Sequence, residues 1–305
     1  MSDLCLSADP VPLGATGISV SPLAWGMWRF KGTDVGAATT LVKAALDAGI
    51  TLFDTADIYG PDNNEPFGAS EALLGRVFAA DPGLRSKMVL ATKGGIRMGV
   101  PYDSSPAYIE QAVDASLKRL GVDQVDLWQI HRPDLVAHPA ETAAALEKLV
   151  ESGRARAIGV SNFTTAQVAA LASYMDTPLA SIQPEFSALA AKPLFDGTMD
   201  QAMQMGMSVL AWSPLGQGRL GAPGKDAAPN VQACTAVMQR IAMEQGVGAA
   251  AVAYAFVGAH PARPIPLVGT QTPARIAEAA DAFKVRFTRQ SWYEILQAGM
   301  GERLP

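Results

Sequence analysis

Gly49-Ile50-Thr51-Leu52-Phe53-Asp54-Thr55-Ala56-Asp57-Ile58-Tyr59 is the stretch that decides the fold. A glycine stops a segment of helical period, a short aliphatic and aromatic run follows, and polar residues begin where the run ends. This is the signature of one helix-to-strand junction in a βα repeat. Working outward, the same alternation recurs from Ser21 onward. Strands are expected over residues 23–25, 51–53, 88–91, 125–130, 157–160, 181–183, 208–211 and 265–268. Between them, segments such as 35–48, 70–79, 106–120 and 139–151 place apolar residues three and four apart, the period of a helix with one buried face. Ser105-Pro106 and Thr272-Pro273 each set an N-cap residue before a proline at the first helical position, and Gly49, Gly121 and Gly153 close helices. About eight such units favour a closed parallel barrel over an open sheet. The expected fold is therefore α/β, a (β/α)8 TIM barrel, as a single domain over residues 1–305. Residues 11–20, with Gly14 and Gly17, read as an N-terminal β-hairpin outside the repeat that caps the barrel's lower end.

Bulk properties narrow the function. The chain has 305 residues, 49% of them hydrophobic, enough for one large core. Its 24 basic residues are outnumbered by 29 acidic ones, and no basic run occurs, so a generic surface for nucleic acid or anionic membrane is not expected. Cys5 and Cys234 stand far apart, which argues against a disulfide framework or a cysteine metal site; no metal is expected, and a reducing, cytoplasmic compartment fits. The first twelve residues carry Asp3, Asp9 and two prolines instead of a basic segment followed by an apolar run, so no signal peptide is expected there. Residues 246–259 fall short of the ~20 needed to span a bilayer and read as a buried helix.

In a parallel barrel chemistry sits where strands end. Asp54 ends the second expected strand, with Tyr59 on the loop beyond it; Lys93 ends the third and His131 the fourth. Taken singly, Asp54 reads as a helix cap, Tyr59 as packing and Lys93 as a solvated charge. Taken together they make chemical sense. A tyrosine is too weak an acid for easy proton donation at neutral pH, and a nearby ammonium lowers its pKa. A buried lysine keeps its charge only beside a carboxylate, here Asp54. A neutral His131 then donates a hydrogen bond to a carbonyl oxygen and turns it toward Tyr59. His138 and His260 read as structural or exposed.

Asp54-Thr55-Ala56-x-x-Tyr59, Thr92-Lys93, Asp126-x-x-x-x-His131, Gly159-Val160-Ser161-Asn162-Phe163 and Trp212-Ser213-Pro214-Leu215 together resemble the aldo-keto reductases, in order and spacing, over roughly Val11 to Trp292. The resemblance implies that Tyr59 is the general acid, that Lys93 and Asp54 tune it, and that His131 positions the substrate, with Trp28 also facing it. It implies a nicotinamide dinucleotide held by Gly26, Met27, Asp54, Ser161, Asn162, Gln183, Trp212, Ser213, Pro214, Leu215 and Gly218, with Trp212 stacked on the nicotinamide. In similar reductases the segment matching Gly269, Thr270, Gln271 and Arg275 takes the adenosine 2′-phosphate, which favours NADP(H) over NAD(H). Glu278 matches an adenine contact, while Ala279 departs from the asparagine often found there. The run Gly216-x-Gly218-x-x-Gly221 imitates a dinucleotide fingerprint, but Pro223, Gly224 and Pro229 prevent the helix that fingerprint needs, so it reads as a long loop.

The expected substrate is a neutral aldehyde, ketone or sugar-derived carbonyl, reduced to the alcohol or formed in the reverse reaction, because only Arg29, Arg97 and Arg132 bring positive charge near the rim. Tyr102 and Pro133 add walls. Two other readings stay open here: a nucleotide-binding regulatory subunit, as some members of the family are, and a barrel aldolase using Lys93 as a Schiff base. The direction of reaction and the oligomeric state are likewise open.

Overall fold

The computed structural model describes residues 4–222, 224 and 227–305; Pro223 of the glycine-rich loop and Met1 and Asp3 of the N-terminal reading lie outside them. Eight parallel strands close into a barrel in chain order. They are β1 (Ala24–Gly26), β2 (Leu52–Asp54), β3 (Val89–Gly94), β4 (Val125–Ile130), β5 (Ala155–Ser161), β6 (Ser181–Gln183), β7 (Ser208–Ala211) and β8 (Ile265–Val268). The expected strands are all present, with shifts at some ends. The third runs past the expected Ala91 to Gly94 and so includes Lys93 near its end.

Side chains alternate between the two faces of each strand, and this sorts the chemistry. Leu52, Ala91, Leu127, Ala157, Leu210 and Ile265 form one apolar cluster inside the barrel, whereas Phe53, Leu90, Trp128, Ile158 and Val209 belong to the larger cluster beneath the helices. Two residues further along the inward face stand Asp54, Lys93, Gln129 and Gly159, with Ser161 beyond. The interior is thus apolar below and polar at its top. The expected hairpin is present, with Val11–Pro12 paired to Ser19–Val20, and its Val11, Leu13, Ile18 and Val20 join the inner cluster from below. Gly14, at a φ of 57°, brings its backbone so near Ala180 that a Cβ there would stand 2.7 Å from the Ala180 carbonyl oxygen. Ser208 Oγ accepts from the Gly14 amide (2.9 Å) and donates to the Pro12 carbonyl (2.8 Å), tying the hairpin to β7.

The helices Val35–Asp47, Ala69–Ala80, Pro106–Leu120 and Pro139–Glu151 fill the expected segments. Ser105 caps its helix as expected; Thr272 occupies the N-cap position without a side-chain hydrogen bond, and the helix it opens, Pro273–Glu278, is short and passes into a 3-10 turn. The segment read as a buried helix contains Ala249–Gly258, buried through most of its length. Among the described residues no single helix is long and apolar enough to cross a membrane; Pro229–Gln245 and Ala249–Gly258 pass that test only as a pair bent by 100°. An unexpected feature is a small hairpin after β3, Ile96–Arg97 with Val100–Tyr102. Its largely exposed strands, interrupted by Gly99 and Pro101, carry no alternating pattern to read.

Candidate active site

Because Leu52 and Asp54 share the inward face of β2, a strand that seals the core below ends in a carboxylate above. Ala91 and Lys93 do the same on β3. Both charged side chains are fully buried, and Lys93 Nζ donates to Asp54 Oδ2 over 2.6 Å. Its two remaining protons go to the Thr55 carbonyl (2.8 Å) and the Tyr59 hydroxyl (3.2 Å). Burial pulls the Lys93 pKa down, but the Asp54 carboxylate and the Tyr59 oxygen outweigh it, so the ammonium is held above its ordinary value. A Schiff-base lysine needs a neutral amine, and this environment opposes one.

Tyr59 is half-buried and accepts a hydrogen bond from Lys93, which leaves its own proton available to another oxygen. Burial pushes the phenol up, Lys93 pulls it down and Asp54 pushes it up again; the balance is upward. The expected ammonium effect is present, yet burial outweighs it, and Tyr59 carries its proton throughout the neutral range. His131 packs edge-on to Tyr59 with ring centroids 5.8 Å apart. Burial first, then the charges of Lys93 and Arg132, hold its imidazole well below its usual range, so it is neutral. A protonated phenol and a neutral imidazole side by side can both engage one carbonyl oxygen.

Asn162 adopts a φ of 61°, a left-handed conformation that asparagine tolerates better than most residues. From there its Nδ2 donates to Ser161 Oγ (2.8 Å) and to the His131 carbonyl (3.1 Å), while its Oδ1 accepts from Trp212 Nε1 (3.0 Å). Ser161 Oγ donates to the Gln183 carbonyl (2.9 Å). Residues expected to make separate contacts are therefore one network that fixes the Trp212 indole. Gln183 Nε2 donates to Asp54 Oδ1 (3.0 Å), joining the catalytic candidates to the cofactor candidates. Gln129 and Ser181 are additions that the sequence reading does not contain. Gln129 Nε2 reaches Asp54 Oδ1 (3.4 Å), and its Oε1 accepts from Ser181 Oγ (3.1 Å). The available signal is a glutamine inside the otherwise apolar end of the run Leu127-Trp128-Gln129-Ile130, since a fully buried amide needs polar partners.

After β7 the chain turns at Ser213, Gly216, Gln217 and Gly218, all at positive φ, and the described residues between there and the helix Pro229–Gln245 form no helix or strand, as expected. The Gly218 amide donates to the Leu215 carbonyl (3.1 Å), whereas the amides of Leu215 and Gln217 have no backbone acceptor among the described residues. Gly218 thus shapes the loop, and its neighbours offer the donors. Pro214 is buried beneath it. After β8, Trp25 Nε1 donates to the Thr270 carbonyl (3.0 Å), and Gln271 Nε2 reaches the Gly26 carbonyl (3.4 Å) while its Oε1 is buried without a partner among the described residues. Gly218 and Gly269 leave open space where a Cβ would stand, and Arg275 and Glu278 are exposed on the turn of helix beyond. Open glycines, free amides and an orphaned Gln271 oxygen fit a nicotinamide dinucleotide. Met27 fits it least. Its side chain is wholly in the core, its amide donates to the Asp54 carbonyl (2.9 Å), and its carbonyl accepts from Ser70 Oγ (3.2 Å). Trp28 is 42% exposed at the mouth, its Nε1 3.4 Å from Asp62 Oδ2.

Residues 22–299 match the aldo/keto reductase family. The chain belongs to that family. It is 52% identical to a 6-dehydroglucose reductase of Novosphingobium aromaticivorans, with all of both chains covered. It is 39% identical to a protein of the same name from Agrobacterium fabrum, over 94% of this chain and 97% of the other. Its structure superposes on a glycerol dehydrogenase of Gluconobacter oxydans with a TM-score of 0.82 and 28% identity, covering 99% of this chain and 98% of that one. As an aldo/keto reductase it is an oxidoreductase of carbonyl and alcohol groups that works with a nicotinamide cofactor.

Proposed function

We propose that this aldo/keto reductase uses NADP(H) to reduce an aldehyde or ketone, specifically a sugar-derived aldehyde, with Tyr59 as the proton donor. The observation that carries the reading is the assignment of Lys93's three protons to Asp54, Thr55 and Tyr59, which leaves the phenol proton unengaged beside a neutral histidine. A bound nicotinamide supplies the hydride chemistry. His131 polarises the substrate's carbonyl oxygen and orients it toward Tyr59. Tyr59 gives its proton to that oxygen as negative charge develops there, and the Lys93 ammonium stabilises the phenolate left behind. Asp54 keeps the ammonium charged, and Gln183 keeps Asp54 in place. In alcohol oxidation the same groups act in reverse.

Trp212 would flank the nicotinamide, Ser161, Asn162 and Gln183 its carboxamide, and Ser213 to Gly218 the pyrophosphate. Arg275, with the amides of Gly269 to Gln271, supports a 2′-phosphate and hence NADP(H). Two full-length relatives named for reduction of a hexose aldehyde support the sugar-derived substrate. The free state of Cys5 and Cys234 supports a reducing, cytoplasmic setting. The test is NADPH oxidation on addition of glucose 6-aldehyde. Tyr59→Phe should lower turnover by roughly 10²–10⁴-fold, the usual contribution of general acid catalysis, with NADPH still quenching tryptophan fluorescence. Full turnover by Tyr59→Phe would end the acid assignment. Reduction of other aldehydes without reduction of glucose 6-aldehyde would end the sugar reading.

A further inference from the structure

The three arginines near the rim are not equivalent. Arg97 donates to Asp103 (2.8 Å) and lies over the Tyr108 ring. The Arg29 guanidinium rests 4.9 Å from the centroid of Trp28. Arg132 is half-buried, follows His131 directly, and sets its guanidinium 5.9 Å from the Trp212 ring centroid. Among the described residues its side chain has neither a carboxylate partner nor a hydrogen-bond acceptor. Its charge is the last and smallest of the causes that act on the pKa of Tyr59 and of His131. A planar fork of donors without an acceptor therefore stands over the ring that flanks the nicotinamide in the proposed reading, one residue beyond His131.

We infer that Arg132 is a specificity-determining residue that donates to hydroxyl groups next to the carbonyl of a hydroxylated aldehyde. The inference rests on the proposed placement of the carbonyl oxygen at Tyr59 and His131, since Arg132 directly follows His131 and stands over the Trp212 ring. Neutral hydroxyls suit the site better than a carboxylate. Asp62 beside Trp28 and Asp134 two residues beyond Arg132 already place acid at the mouth, and Asp134 is held there by the Ser104 and Val136 amides (2.9 and 3.0 Å). Arginine's paired N–H groups match two neighbouring hydroxyl oxygens, which a lysine's single ammonium cannot copy.

The test compares D-glyceraldehyde with propanal, which has the same carbon chain and no hydroxyls, at saturating NADPH and corrected for hydration of each aldehyde. Arg132→Gln should lose about tenfold or more in kcat/KM for glyceraldehyde relative to propanal, chiefly through KM, the usual loss for a hydrogen bond from a charged donor. Arg132→Lys keeps the charge near Tyr59 and His131 and should still lose part of that ratio. An equal fall for both aldehydes would overturn the inference. So would a rise in KM for NADPH with the aldehyde ratio unchanged, which would assign Arg132 to the cofactor. If wild type ignores glucose 6-aldehyde while the ratio still responds to Arg132, the sugar reading fails and the inference stands.

Discussion

At the scale of single residues, burying a charge is costly, and most of the buried ionisable groups here meet that cost by pairing. Lys93 and Asp54 answer by pairing. Asp57, two residues before Tyr59, does not: it is buried, and among the described residues neither carboxylate oxygen has a hydrogen-bond partner. Burial, followed by repulsion from Glu71, raises its pKa well above the ordinary carboxylate value, against the pull of Arg119. A carboxyl raised in the folded state binds protons more tightly there than in the unfolded chain, so its contribution favours folding at low pH. That contribution is lost as pH rises from the unfolded pKa through the folded one, by about 1.4 kcal/mol for each pH unit that separates the two. Asp57→Asn removes this titration. Urea unfolding at pH 5 and pH 8 should show the variant gaining on wild type at the higher pH, and an equal difference at both would rule the account out. Arg275 makes the other prediction at this scale. Arg275→Ala should raise KM for NADPH roughly tenfold or more while leaving KM for NADH nearly unchanged, since a guanidinium gains a charged hydrogen bond only from the 2′-phosphate. Equal losses with both cofactors would remove the residue from phosphate recognition.

At the scale of elements, the lower ends of β3, β4 and β5 are joined by one carboxylate. Asp126, nearly buried, accepts from the Leu90 amide (2.8 Å) and Arg85 (2.9 Å) through Oδ2 and from Arg156 (2.8 Å) through Oδ1. It belongs to the family signature yet lies far from the mouth, so its part is to hold strand register. Asp126→Ala leaves a buried amide and two guanidinium groups short of an acceptor. The expected loss is about 2–4 kcal/mol in urea denaturation, with kcat per folded molecule retained. A loss below about 0.5 kcal/mol would show that the strands are aligned without it. Strands of this kind are legible in the sequence because both faces are buried and the runs are apolar. The hairpin at Ile96–Tyr102 is not, because exposed strands that short carry no pattern.

At the scale of the whole molecule, stability and chemistry are placed at opposite ends. The N-terminal hairpin closes the lower end with Leu13 wholly buried among barrel residues, and the proposed catalytic groups stand at the upper end. Leu13→Ala should therefore cost about 2–5 kcal/mol of unfolding free energy, as large-to-small changes in a core do, while leaving KM and kcat unchanged at temperatures where the protein is folded. A change in KM for the aldehyde at full folding would show that the two ends communicate.

The sequence by itself determined the alternation that makes the barrel, the cap below it, and the four candidate residues Asp54, Tyr59, Lys93 and His131 at or near the strand ends, because periodicity and residue type are local properties. The tertiary structure decided which partner each of them has. Ring closure brings Gln183 onto Asp54 across 129 positions and Trp212 onto Asn162 across 50, and no local pattern encodes such pairings. It also decided the direction in which Tyr59's pKa moves. The sequence supplied the ammonium that lowers the phenol's pKa, but how deeply the ring is buried depends on the packing around it, and burial outweighed the charge.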